Sequence, residues 1–500
     1  MMDKRVAKFG VIGMVASVCL APIGESAFLP EDVHWFYKMG GPRPEPFAFA
    51  QQGRYLYTGG IFTDTDGLTN GKNLVRFDMV TEAWQELPGL SPEINGSVRA
   101  LHAGDDGRIY VGGNFSNVAE VPSSRVAAYD PQTGTFEGLV GGVGDLVSVG
   151  QENGPTNGDV RAILKVDDLV YVGGFYTGPS GSPANEKYIR AFNLDTNTWL
   201  RLGDGLDGQV NALKLLPDGS ILAGGEFSEG LARWDGVSWA AYGGGVGGEG
   251  VVRDIELTSS GRVYIGGSFN EVGSGANQIS ANFIAYYEPS SNSWNDMAGG
   301  FDDEYIQSNN TNFSADGVYD LALAGDGTLY VGGDFQADVT RTNTNLDHVA
   351  CWDSTGTWQS LGSGAGTSGS QIVNCVAVGP RGEVYVGGTF SEGYRNASSA
   401  NSQFAVWDST IDFRGEASER NYDYVPGARN NTTVEFVPGA SPKFQFESRP
   451  GTDYRLEVTT DLASSLWTPT GPTVAGDGGV KTLDVTMSGE AEFYRLRAID

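Results

Sequence analysis

The sequence predicts an all-β protein: a seven-bladed β-propeller closed by its own N-terminal strand, with a small C-terminal β-sandwich behind it. Three observations carry that expectation. A short strand ending in a glycine pair and an aromatic recurs seven times: YTGGIF at 57–62, YVGGNF at 110–115, YVGGFY at 171–176, LAGGEF at 222–227, YIGGSF at 264–269, YVGGDF at 330–335 and YVGGTF at 385–390. A repeat of roughly 50 residues built from short strands means a solenoid or a propeller. Around each copy the sequence reads as four strands, the unit of a propeller blade. Finally, one strand without a partner stands at each end of the array.

The N-terminus reads as a secretory signal over residues 1–26. Lys4, Arg5 and Lys8 precede an apolar stretch at 9–21, with small residues Gly24 and Ser26 at a cleavage site. That stretch is too short to span a membrane. The expected location is therefore secreted or at the cell surface, with no membrane insertion after signal cleavage. The propeller is assigned to 33–410. VHWFYKMGG at 33–41 looks like a fourth strand without a blade, and the seventh unit, ending FAVWDS at 404–409, lacks its fourth strand. Joining the two closes the ring and removes both edges.

Within a unit, the second copy is typical: VRALHAG, Asp106-Gly107, RIYVGGNF, a variable loop, RVAAYD, PQTG and TFEGLVGG. The Asp-Gly pair suggests a two-residue type I′ hairpin, with positive φ at both central residues. The third and fourth strands carry aromatic pairs: Phe77/Trp84, Tyr129/Phe136, Phe192/Trp199, Tyr287/Trp294, Trp234/Trp239 and Trp352/Trp358. Glycine inside a strand marks a bulge or a close backbone approach, and blades crowd near the axis. Gly-Gly, then Tyr-Asp, then Trp seven residues after the Tyr resembles the kelch repeat. The YVGGxF variant is similar to bacterial exported repeat proteins and to the propeller of the fungal cortical polarity-marker family. The resemblance implies a fold, and kelch propellers host enzymes, adhesins and adaptors alike.

Residues 411–433 are polar and read as a linker. From 434 to 500, alternating segments such as KFQFES, YRLEVTTDL, VKTLDVTM and FYRLRA predict a small β-sandwich. With its Trp467 and final Phe-Tyr-Arg-Leu, the segment resembles a C-terminal module of exported Gram-negative bacterial proteins, which implies a surface or sorting accessory.

The charge balance excludes some partners. With 62 acidic against 32 basic residues and a net charge of −30, the chain repels nucleic acid phosphates. Asp64 and Asp66 in DTDG supply two carboxylates of a calcium loop, but its third ligand and terminal Glu are missing. The segment reads as a turn with calcium as the weaker alternative, and no other cofactor is expected. Cys351 and Cys375 lie on strands of different rank and are expected to be free thiols. His34, His102 and His348 do not share a motif position, and no Gly-x-Ser-x-Gly elbow or phosphate loop is present.

The long connections, second-to-third strand and blade-to-blade, emerge on one side, which makes that side the binding face. The innermost strands share a Val followed by Arg99, Arg161, Asn211, Arg253, Tyr319 or Asn374. Strand alternation places these six at one height around the axial mouth. Arginine binds carboxylate in a fork, so the ring is expected to receive an anionic group such as a uronic acid or an acidic side chain. The competing expectation is that the arginines only tie down Asp159, Asp254 and Asp320. The function expected is a non-enzymatic binding or adhesion propeller for an extracellular glycan or protein. The alternative is a carbohydrate-active hydrolase or lyase using loop carboxylates about 5–10 Å apart.

Overall fold

The computed structural model describes residues 35–37, 43–65, 68–123, 125–139, 158–176, 188–247, 250–301, 317–335, 338, 346–362, 364–365, 371–380, 382–390 and 403–408, and six strands beyond 434. The chain forms two compact units, Phe28–Phe413 and a second that holds those six strands.

The first unit consists of seven four-stranded antiparallel sheets, together with two short hairpins in second-to-third strand loops. The innermost strands are Arg43–Gln52, Val98–Ala103, Asp159–Val166, Gln209–Leu215, Val251–Leu257, Gly317–Leu323 and Ile372–Val378. Each packs against the next, and the last packs against the first, so the ring is closed. The closing blade is completed by Trp35–Tyr37, which pairs antiparallel with Phe404–Trp407 and sets Trp35 opposite Trp407. That pairing is the seventh instance of a repeated rule. In the other six blades the aromatic pairs also sit directly opposite, as Phe77 on Trp84 or Trp352 on Trp358, with ring centroids 4.7–5.5 Å apart. Such cross-strand aromatic pairs fix register and contribute packing energy.

The glycine pairs have two separate steric causes. A Cβ on the first glycine would meet the inner-strand residue of the next blade. Gly112 would place it 2.4 Å from Val160, Gly173 2.5 Å from Val210 and Gly266 2.4 Å from Val318, while at the closing seam Gly387 faces Pro46 at 3.0 Å. A Cβ on the second glycine would strike a carbonyl of its own blade's inner strand, as Gly113 on Ser97 O at 1.9 Å. That carbonyl lies beside a β-bulge which recurs in every blade, between Pro46/Ala48, Val98/Ala100, Val160/Ala162, Val210/Ala212, Val252/Asp254, Val318/Asp320 and Val373/Cys375.

The first hairpin turns correct the sequence expectation. Only the glycine has positive φ (84° at Gly107), its N–H donates to the carbonyl of Gly104, and Gly104 N–H donates to Arg108 O. The turn is thus longer than a two-residue type I′ loop. Asp106, Asp218 and Asp326 are chosen because their side chains accept the N–H two residues on. Cys351 and Cys375, the cysteines among the described residues, are free, with Cys375 buried.

At the closing seam Phe404 is fully buried, its ring 4.8 Å from Trp84 and 5.2 Å from Phe77 of blade 1. Deleting residues 33–41 leaves Phe404–Trp407 as an open edge. Thermal denaturation is expected to show a midpoint lower by about 5 °C, with concentration-dependent association through the edge. An unchanged midpoint in a monomeric variant would count against closure as a source of stability.

The second unit has two three-stranded antiparallel sheets. One is Glu435–Val437, Lys443–Glu447 and Val480–Asp484, and the other is Thr468–Ala475, Asp453–Thr459 and Phe493–Ile499.

Candidate functional site

The recurrent bulge generates the candidate site. A bulge sets two residues against one and leaves the extra residue out of the ladder. The register breaks fall at Arg99, Arg161, Asn211, Arg253, Tyr319 and Asn374, the six residues singled out by sequence, and at a seventh, Phe47. The sequence pattern missed Phe47 because Pro46 stands where the other blades have Val. Counting back from Gly59-Gly60 would have found it. Because each bulge lies near the start of its innermost strand, the seven form one ring on the side of the blade-to-blade and second-to-third strand connections. Of these, the blade-to-blade segments 140–157 and 302–316 and the second-to-third strand segments 177–187 and 391–402 lie outside the described residues.

Several ring members reach along the ring. Asn211 Nδ2 donates to Val252 O at 3.0 Å, and Asn374 Nδ2 donates across the closing seam to Pro46 O at 3.2 Å. Arg99 lies over the Phe47 ring at 4.4 Å, with its Nε 2.9 Å from Asp159 Oδ2. Arg161 Nε is 3.3 Å from the same oxygen. Burial raises the Asp159 carboxyl above its ordinary range, against the opposing pull of Arg99 and Arg161. For these two arginines, then, the structural role is realised.

Arg253 differs. Its guanidinium lies 4.4 Å over the Tyr319 ring and its Nη2 reaches Ser268 Oγ at 3.4 Å. Its Nε is buried without a hydrogen-bond partner, and among the described residues it forms no ion pair. Asp254 and Asp320 do not tie it down, contrary to the second sequence expectation. They accept backbone N–H groups from the next blade instead: Leu321 N on Asp254 at 2.9 Å and Val376 N on Asp320 at 2.6 Å.

These two residues begin a second tier, at the position after the bulge where four other blades have Ala48, Ala100, Ala162 and Ala212. The Asp254 carboxyl, near that of Asp320, adds to the effect of burial on it. Desolvation raises both, Asp254 to about 6, with the nearby Lys214 opposing and Glu256 adding to the rise. Two buried carboxyls near each other cannot both ionise freely, so the pair holds a proton. Lys214 Nζ bridges to Glu256 Oε1 at 2.7 Å. Burial, helped by Lys214, lowers His102 to about 4, which keeps it neutral. His348 is buried elsewhere, in blade 6, with Nδ1 3.8 Å from Asp334; His34 lies outside the described residues.

The calcium candidate is only partly visible. Asp66 lies outside the described residues, and Asp64 ends the strand Tyr55–Asp64. The loop is held by Thr65 Oγ1 donating to Gly71 O at 2.9 Å and by Asn70 N donating to Glu86 Oε1 at 3.0 Å. Among the described residues no group of three or more His, Cys, Asp or Glu is placed to hold a metal ion.

The fold defines the protein as a seven-bladed β-propeller with a polar axial mouth. A family model described as "Domain of unknown function (DUF5122) beta-propeller" matches residues 105–136, within blade 2. No curated protein matches the chain. Among solved structures it is similar to one titled "Streptogramin B lyase structure", at 11% identity and a TM-score of 0.43, over 75% of this chain and 97% of that one.

Proposed function

We propose that the protein is an exported kelch-type propeller that binds an extracellular glycan or protein through its long-loop face, with the axial mouth taking an anionic group of the ligand. Residues 1–26 direct export, and 434–500 form a β-sandwich accessory behind the linker 411–433. The observation that carries the reading is Arg253. Its guanidinium lies 4.4 Å over the Tyr319 ring and forms no ion pair among the described residues, which supports its taking an anionic group that enters the mouth. Its neighbours Arg99 and Arg161 share the single carboxylate of Asp159, so the mouth keeps positive charge in an otherwise acidic molecule.

The enzymatic alternative needs two carboxyls about 5–10 Å apart flanking a sugar bond. The axial carboxyls of Asp254 and Asp320 are both occupied by strand N–H groups of the next blade. That geometry supports a structural role for the pair and favours the binding reading.

A glycan and peptide array probed with the mature protein tests this. Binding to uronic acid glycans or acidic peptides is expected, and Arg253→Gln should weaken it by about tenfold or more, the worth of a charged hydrogen bond, with an unchanged melting temperature. Equal binding by wild type and variant would overturn the assignment.

A further inference from the structure

A second site lies away from the axis, on blade 4. A cleft of about 490 Å³ is bounded by Gly203, Asp204 and Asp207 from the loop after blade 3, by Ser228 and Glu229 of blade 4, and by the indole of Trp239. Its volume falls within the range of small-ligand sites.

Trp239 occupies the fourth-strand position of its blade, and the internal repeat shows how the covering of that position varies. The equivalent Trp84, Trp294 and Trp358 are 5%, 8% and 7% exposed. Trp239, like Trp199 of blade 3, is only half-buried. Its anchoring is ordinary: Nε1 donates to Leu202 O at 3.1 Å, as Trp294 does to Gly243 O and Trp358 to Met297 O. The covering is what differs. In blade 6 the indole is covered by Phe301, with centroids 4.5 Å apart. In blade 4 the same position, four residues after the carbonyl that accepts the indole N–H, is the smaller Leu206, and it is preceded by the loop Gly203-Asp204-Gly205, which carries no bulky side chain. Trp239 is thus clamped by its N–H and by Trp234, whose centroid is 5.5 Å away, and still lines an open cleft.

The polar lining is of one kind. Asp204, Asp207 and Glu229 offer carboxylate acceptors and Ser228 a hydroxyl, and no Lys or Arg lines the cleft. Asp207 is held in place by the Ser228 N–H at 2.9 Å and by the Ser228 hydroxyl. A rigid aromatic plate beside several acceptors matches a ligand with an apolar ring face and hydroxyl donors around its edge. Three carboxylates reject an acidic ligand. We infer that this cleft is a saccharide subsite that stacks a non-acidic sugar ring, neutral or amino, on Trp239. It is independent of the axial mouth and has the opposite charge preference.

The test uses the full mature chain and a panel of neutral, amino and uronic acid oligosaccharides, followed by calorimetric titration of the strongest non-acidic binder. Trp239→Ala is expected to weaken that binder by about tenfold or more, whereas Trp239→Phe keeps most of the affinity. Should Trp239→Ala unfold the blade, the exposed pair Asp204→Asn with Glu229→Gln leaves the core intact and is expected to weaken binding severalfold. Arg253→Gln should have no effect on this ligand, which separates the cleft from the axial mouth. Binding confined to uronic acid glycans, non-acidic binding indifferent to both Trp239→Ala and the acidic pair, or no saccharide binding at all would overturn the inference.

Discussion

Gly113→Ala is expected to destabilise the propeller by about 3 kcal/mol or more, at the upper end of overpacking effects. The new Cβ would lie 1.9 Å from the Ser97 carbonyl oxygen and 3.1 Å from Val98 Cα. Both are backbone atoms of the inner strand at its bulge, so no rotamer change relieves the contact. Gly112→Ala is expected to cost less, about 1–3 kcal/mol, because its new Cβ meets side-chain tips, Val160 Cγ1 at 2.4 Å and Ile163 Cδ1 at 2.8 Å. Val160→Ala should therefore partly rescue Gly112→Ala and leave Gly113→Ala unimproved. Urea unfolding of the two single glycine variants, Val160→Ala alone and the two double variants reads both the stabilities and the coupling. A Gly113→Ala protein within about 0.5 kcal/mol of wild type would show that the bulge does not need its glycine.

The second large effect concerns the Asp254–Asp320 pair. Desolvation and mutual repulsion raise both carboxyls in the folded chain, while in the unfolded chain each titrates near its ordinary value of about 3.9. Between these values the folded state binds more protons than the unfolded state, so stability falls as pH rises. The pair's contribution is complete below the unfolded pKa and is lost as pH rises through the folded values, Asp254 near 6 and Asp320 also raised. Lys214 opposes the loss by attracting the carboxylates; Glu256 adds to it. Asp320→Asn keeps an acceptor for Val376 N–H and removes one of the two carboxyls. It is expected to raise the melting temperature by about 2–4 °C at pH 8, by less near pH 5, and not at all below the unfolded pKa of about 3.9. Asp320→Ala leaves the Val376 N–H unpaired and should lose about 1–3 kcal/mol at either pH. A variant whose stability falls with pH as steeply as wild type would sink the shared-proton account.

The ring architecture was legible because it is local chemistry repeated. Each YVGGxF strand carries its own steric instruction, and the unpaired strands at 33–41 and 404–409 could be matched by counting. The height of Arg99, Arg161, Asn211, Arg253, Tyr319 and Asn374 was legible for the same reason, although the cause is a bulge that strand alternation does not foresee. Phe47 was hidden by Pro46. The type I′ expectation failed because Asp-Gly does not reveal how many flanking residues the turn includes; the Asp side chain's own hydrogen bond selected the longer loop.

Partnership between blades was beyond local reading. Whether an inner-strand arginine meets Asp159 or a tyrosine face depends on which side chain the adjacent blade presents, about 60 residues away in the sequence for Arg99 and Asp159. Asp254 and Asp320 read as counterions in the sequence, yet they turn to the next blade's N–H groups and share a proton, because ring closure brings their strands within hydrogen-bond reach. Trp239 looks like every other fourth-strand aromatic until the loop against it is seen to carry Leu206 where blade 6 has Phe301. Repeated short-range patterns encode the scaffold. The differences between blades, and with them any site, arise only when neighbouring blades are packed around the axis.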